Sequence, residues 1–241
     1  MAQYIYGKNV VMQMLKNRSE IQQLYVSGSI DKEMGLLIQK NEVLVKSVSK
    51  KDLDQLVNTT KHQGVVAEIK EYKTYTVDEI VDSIPQGKLP LLVMLDSLED
   101  PHNLGAILRT CDCVGVDGVI VGKRRSIGLT PTVAKVSTGA IDTVKVAIVT
   151  NLTQTLKELK GKGYWICGAD MQNAVDYRLI DYKVPLVLVI GSEGFGISRL
   201  VKEECDYSVS LPMEGSISSL NASVATAVLL YQIHSQRFPV K

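Results

Sequence analysis

Rings are scarce in this chain of 241 residues: two phenylalanines and one tryptophan, with aromatics only 5% of the whole. Cysteine is sparse too. The four thiols (Cys111, Cys113, Cys167, Cys205) form no C-x-x-C pair and no Cys/His cluster. That excludes a zinc ribbon or a dithiol redox centre and leaves reduced, mostly buried thiols with no metal. No excess of either charge marks the whole chain, whose formal net charge is +1. No apolar stretch approaches the length of a membrane span, and Met1 to Lys16 is too interrupted by polar residues for a signal peptide. A cytoplasmic protein is expected. There is no P-loop, no internal repeat and no low-complexity stretch.

What is present is apolar content, 45% of the residues, enough to build the core of one large domain or two small ones. Residues 1–70 hold 10 Lys/Arg against 7 Asp/Glu, and residues 71–241 hold 17 against 19. The front is mildly basic, which leans toward an acidic partner. Periodicity predicts a short helix within Tyr4–Lys16, a strand over Gln22–Ser27, a helix over Lys32–Asn41, a strand over Val43–Val48, a helix over Lys50–Val57 and a strand over Val65–Ile69. This is a small α/β domain, 1–70. Residues 71–89, polar, with one short helix candidate and Pro85-Gln86-Gly87, read as a linker.

From Pro90 strands and helices alternate. Strands are expected at Leu91–Leu95, Gly118–Val121, Val144–Val149, Tyr164–Gly168, Leu186–Ile190 and Tyr207–Leu211. Helices are expected at Asn103–Val114, Pro131–Thr138, Asn151–Lys160, Ile197–Glu204 and Asn221–Gln236. The strands are continuous apolar runs, as in a parallel sheet covered on both faces, so residues 90–241 form an α/β domain.

Three polar blocks interrupt this pattern where strands hand over to helices. The first is Asp100-Pro101-His102-Asn103-Leu104-Gly105 with Arg109-Thr110, after the Leu91–Leu95 strand, a usual place for ligand chemistry in an open α/β sheet. Arg109 lies roughly 9 Å along the helix from Asn103 and projects away from its apolar face. The second is Gly191-Ser192-Glu193-Gly194-Phe195-Gly196, where glycines at the end of a buried strand let a ligand lie against bare backbone. Its spacing is not that of a dinucleotide fingerprint, and no ribose-binding acid follows, which excludes a nicotinamide dehydrogenase. The third is Ser210-Leu211-Pro212-Met213 followed by Ser219-Leu220-Asn221-Ala222-Ser223-Val224-Ala225. Bland readings exist for each: Asn103 or Ser219 as a helix cap, Asn221 in a first turn, Glu193 bracing its own turn, Arg109 in a surface ion pair. Lys123-Arg124-Arg125, a basic triplet at a strand's carboxyl end, suits either solvent or phosphate.

Taken together and in this order, the blocks resemble motifs 1, 2 and 3 of the SpoU (TrmH-type) RNA ribose 2'-O-methyltransferases. Lys135-Val136-Ser137-Thr138-Gly139-Ala140 is similar to that family's K-x-S-x-G-A segment, read here as helix packing or subunit contact. At the front, Gly7-Lys8 with Val11 and His62-Gln63-Gly64 resemble the RNA-binding extension of the rRNA-modifying branch. The resemblance covers the whole chain and is nearest to the RlmB-like enzymes that methylate guanosine in 23S rRNA.

It implies a SPOUT-type fold, a parallel-sheet domain with a C-terminal trefoil knot, which pattern reasoning alone never yields because knots are so rare. It implies S-adenosylmethionine (SAM) as cofactor, held by Gly191, Leu211 and Leu220, with Gly168, Ile190 and Met213 nearby. It implies catalytic roles for Asn103, Arg109, Glu193, Ser219 and Asn221, with Arg109 acting on the ribose hydroxyl. Guanidinium does not readily give up its proton, so fixing a phosphate and stabilising alkoxide charge is the favoured wording over general base. RNA is the expected partner, contacted by Lys123, Arg124 and Arg125. A homodimer is expected, with the last helix (Val224, Val228, Leu229, Tyr231, Ile233) available as interface or as internal core. With so few rings, base stacking by the front domain is in doubt. The rivals are a tRNA ribose 2'-O-methyltransferase and a non-catalytic RNA-binding protein on the same fold.

Overall fold

The computed structural model describes residues 3–16, 21–69, 71–171, 174–216 and 219–240. Lys70, where the front domain was expected to end, lies outside them. Contacts divide the chain into two compact units, Met1–Tyr72 and Lys73–Lys241.

The first unit has four strands, β1 (Gln3–Tyr6), β2 (Ile21–Val26), β3 (Val45–Ser47) and β4 (Val65–Ile69), in the order β1-β4-β2-β3. β4 is antiparallel to both neighbours, and β3 runs parallel to β2 at the edge. Helices α1 (Lys8–Lys16), α2 (Lys32–Lys40) and α3 (Lys50–Val57) accompany the sheet. Val11, Leu15, Leu24, Met34, Ile38 and Ala67 form the core between sheet and helices. Two helices start at strong caps. Asp31 accepts from the Met34 amide at 2.8 Å, and Ser49 and Asp52 form a reciprocal capping box.

β1 was not expected, because its four residues run straight into a helical pattern. Gly7, at φ +100°, separates the two. The sequence blocks at the two ends of this unit meet: the Gly7 amide donates to the Val65 carbonyl, and the Lys8 amide donates to Gln63 Oε1 at 3.0 Å. His62, fully buried, donates from Nε2 to Asp54 Oδ1 at 2.9 Å and accepts at Nδ1 from the Gly64 amide. The H-Q-G triplet is thus an internal brace.

The second unit is a seven-stranded, wholly parallel sheet flanked by helices. Its strands are β5 (Leu91–Leu95), β6 (Gly118–Gly122), β7 (Val146–Val149), β8 (Trp165–Ala169), β9 (Val175–Asp176), β10 (Leu186–Ile190) and β11 (Tyr207–Ser210), in the order β7-β6-β5-β10-β8-β11-β9. β5 and β10 are buried along their whole length, as a central pair must be. Late in the chain, β10 enters between β5 and β8, so the carboxyl ends of strands distant in sequence share one edge. The helices are α4 (Val77–Asp82), α5 (Pro101–Val114), α6 (Pro131–Ser137), α7 (Ala140–Thr143), α8 (Leu152–Gly161), α9 (Arg199–Lys202) and α10 (Ala222–Arg237).

The segment expected as a linker is not one. From Lys73 it belongs to the second unit; α4 has a capping box at Thr76 and Glu79, and Ile80 is buried in the core among Leu92, Ile120 and Leu159. The short helix expected in this polar segment is α4, and its one buried isoleucine ties it to the core. α7 and β9 were not expected, being only four and two residues long.

Gly105 shows why α5 and α6 pack so closely. A Cβ there would stand 2.6 Å from Val136 Cβ and 3.1 Å from the Val133 carbonyl. Its neighbour is therefore α6, and the K-x-S-x-G-A-like segment serves helix packing. We expect Gly105→Ala to lower stability by about 1–2 kcal/mol in urea unfolding, despite alanine's better helix propensity. Val136→Gly, which removes the opposing Cβ, should make the added cost of Gly105→Ala smaller in a double-mutant cycle.

Candidate active site

The first sequence block opens α5. Asp100, not Asn103, is the N-cap, accepting from the His102 amide at 2.9 Å, with Pro101 at the first helical position. That places Asn103 in the first turn, where it is only 6% exposed. The third block opens α10. Here Asn221, not Ser219, is the N-cap, accepting from the amides of Ser223 and Val224.

Glu193, on the turn after β10, joins the two helices. Its Oε1 accepts from Asn103 Nδ2 at 3.0 Å, from Asn221 Nδ2 and from the Ala222 amide at 3.3 Å. Asn221 Nδ2 also donates to Asn103 Oδ1 at 2.9 Å. One carboxylate thus stands at the N-termini of two helices, where exposed amides and the helix dipoles favour negative charge. The turn itself is closed by mutual backbone hydrogen bonds between Ser192 and Gly196, of 3.1 and 2.9 Å. Gly191 is required there: a Cβ would fall 2.1 Å from the Gly196 carbonyl carbon.

Sequence reasoning passed over Asp96. It is 4% exposed at the end of β5 and accepts from the Ser198 amide at 2.7 Å and from Ser97 Oγ at 3.0 Å. Its own amide donates to the Ile190 carbonyl at 2.8 Å. It therefore ties the far side of the same turn to the sheet. The available signal was its position, a carboxylate directly after a fully apolar strand.

A cleft of about 710 Å³ opens beside this junction, within the range of small-molecule sites. Its lining includes Ile190, Gly191, Leu211, Met213, Ser219 and Leu220, contributed by the ends of β10 and β11 and the lead-in to α10. Gly168 does not line it. It lies buried within β8, where a Cβ would meet Cys205 Sγ at 2.8 Å and Ile197 Cδ1 at 3.0 Å, and Ala169 takes the place on the cleft. Its glycine is a packing requirement.

Arg109 stands outside the junction. It is exposed on α5 and, among the described residues, makes no hydrogen bond or ion pair. The basic triplet divides: Lys123 and Arg124 line a cleft of about 440 Å³ with Arg199 and the start of α8, while Arg125, at φ +52°, lines a cleft of about 690 Å³ that contains Asn103 and Glu193. The last helix divides too. Leu229 and Ile233 are buried, whereas Val224, Val228 and Tyr231 form an exposed apolar row. Burial raises the thiol pKa of Cys111, Cys167 and Cys205, the last to about 12. Among the described residues no group of His, Cys, Asp and Glu is arranged to hold a metal ion, and no helix is long and apolar enough to cross a membrane.

Comparison with known proteins matches both units. A family model described as SpoU rRNA Methylase family covers residues 90–231, and one described as RNA 2'-O ribose methyltransferase substrate binding covers residues 4–75. A Bacillus subtilis protein, YacO, assigned to the TrmH family of tRNA/rRNA methyltransferases, is 45% identical over 98% of this chain and 97% of its own. A Staphylococcus saprophyticus protein assigned to the same family is 46% identical over 97% and 95%. The SpoU methyltransferase AviRb from Streptomyces viridochromogenes, solved in complex with AdoMet, has the same fold, with a TM-score of 0.65 at 24% identity over 99% of this chain and 92% of that one. An A. aeolicus TrmH/SpoU tRNA modifying enzyme aligns with a TM-score of 0.57 at 33% identity, over 66% and 81%.

Replacing Glu193 by alanine removes the acceptor of Asn103 Nδ2 and of the Ala222 amide, while Asn221 Nδ2 keeps only Asn103 Oδ1. We expect a loss of about 1–3 kcal/mol in urea unfolding. Glu193→Gln, which keeps an accepting Oε1, should lose less than half of that.

Proposed function

The chain belongs to the SpoU rRNA methylase family, and from that premise we propose that this RNA methyltransferase modifies a ribose 2'-hydroxyl, that of a guanosine in large-subunit (23S) rRNA. The observation that carries the ribose reading is the match of residues 4–75 to a substrate-binding domain described for RNA 2'-O ribose methyltransferases. The front unit, which resembles the RNA-binding extension of the rRNA-modifying branch, supports rRNA over tRNA as substrate, and a role in rRNA processing implies a cytoplasmic enzyme.

The cofactor is S-adenosylmethionine. The fit rests on the cleft beside the Glu193 turn, where strand ends and a required glycine present bare backbone. Ile190, Gly191, Leu211, Met213 and Leu220 would hold it. When bound it supplies a methyl group on a cationic sulfur. The chain's own part is to orient the hydroxyl oxygen, a poor nucleophile, in line with that methyl; well-oriented pairs gain on the order of 7–11 kcal/mol. Asn103, Glu193 and Asn221 shape the mouth of the cleft, and Ser219 lines it.

Arg109 fixes a phosphate beside the target ribose and stabilises negative charge developing on the oxygen. Its exposure supports that role over general base, since burial does not strip its guanidinium of water. The same exposure, with the apolar row Val224, Val228 and Tyr231, supports a homodimer in which Arg109 of one copy completes the site of the other. A trefoil knot in the C-terminal segment is supported by the entry of β10 between β5 and β8.

Labelled SAM incubated with deproteinised 23S rRNA, and separately with bulk tRNA, tests the assignment. Label should appear on a ribose 2'-oxygen of the rRNA and fall about 10²–10³-fold with Arg109→Ala. Label confined to tRNA would keep the chemistry and overturn the substrate, while absence of SAM binding would overturn the enzyme.

A further inference from the structure

Phe195 is one of two phenylalanines in the chain, yet it is 97% exposed. Its ring does not hang on a loose loop. The turn beneath it is closed by the Ser192–Gly196 pair, by the Phe195 amide donating to Ser192 Oγ at 3.4 Å, and by the close approach of Gly191 to Gly196 and Ile197. Presenting an apolar ring to water from a fixed turn gains nothing for folding.

The ring stands where two clefts meet. It lines the cofactor cleft on one side and, on the other, the cleft of about 690 Å³ that contains Asn103 and Arg125. Among the described residues no other aromatic side chain lines either cleft. Glu193 is shared by both clefts, and Glu99 and Asp100 face Arg125 in the second. Charge there is mixed, so this cleft suits an uncharged planar group better than a run of phosphates. A nucleotide whose ribose reaches the cofactor cleft must direct its base elsewhere, and Phe195 is the flat apolar surface at that boundary.

We propose that Phe195 is the stacking platform for a nucleobase of the RNA at the methylation site, with Arg125 on the adjoining backbone. This rests on the RNA-methylation reading above. It also places base stacking in the methyltransferase unit. Any base offers a π-face, so the platform positions the target nucleotide.

Steady-state methylation of deproteinised 23S rRNA by Phe195→Leu and Phe195→Trp tests this. Leucine keeps apolarity and loses the flat ring, so kcat/KM for RNA should fall roughly 10- to 100-fold while the Kd for SAM moves by less than about twofold. Tryptophan should restore the rate. In a Trp165→Phe background the fluorescence of Phe195→Trp should be quenched by a short single-stranded oligoribonucleotide, and much less by an abasic strand of equal length. Wild-type kcat/KM in Phe195→Leu would overturn the inference. So would a loss lying wholly in the Kd for SAM, equal quenching by the abasic strand, or a changed oligomeric state in size-exclusion chromatography. Failure of the wild-type protein to methylate any RNA would sink the underlying reading, whereas the fluorescence comparison judges the stacking by itself.

Discussion

The Glu193 carboxylate is the contact on which the second unit's site depends. It accepts from Asn103 in the first turn of α5, from Asn221 at the cap of α10 and from the Ala222 amide, and so joins three segments distant in sequence. Each partner is constrained by its own helix start, so the carboxylate, though exposed, is held at two positive helix ends. Asp96 makes the second tie, holding the same turn to the end of β5. Between these two carboxylates the Gly191–Gly196 turn has little freedom. The cleft beside it and the exposed ring of Phe195 both take their form from it.

The parallel sheet explains why so many functional groups collect at one place. Every strand of the second unit points its carboxyl end toward the same edge, and β10 lies at the centre of the order. The turn after β10 therefore adjoins the turn after β5 on one side and those after β8 and β11 on the other. Cleft and acid–amide junction arise from these turns, and the basic triplet from the turn after β6, the strand beside β5. Arg109 is the exception, set further along α5 and facing solvent.

Much of the fold was legible. β4, β5 and β10 fall on the residues expected, because continuous apolar runs between polar turns admit few other readings. α2, α5, α8 and α10 were also within reach, through periodicity and strong caps. What escaped notice was short, namely β1, α7 and β9, or carried by a single residue, as the membership of α4 in the second unit is by its one fully buried isoleucine. At the site, the blocks containing Asn103, Glu193 and Asn221 stood out, while the two helix caps were assigned to the wrong neighbours. Gly168 was read as a ligand contact, although Cys205 and Ile197 press against it. A glycine needed for packing and one needed for a ligand look the same in sequence.

The sequence by itself determined the chemical groups: which carboxylates, amides and guanidinium exist, on which strand ends and helix starts they lie, and the family whose blocks they match. Only the tertiary structure decided which of them meet. Asn103 and Asn221 touch across 118 residues because β10 pairs with β5 and β8, strands laid down long before it, and no local propensity encodes that choice. Pairing over such distances is selected by burial of the whole sheet, a property of the assembled core rather than of any one segment.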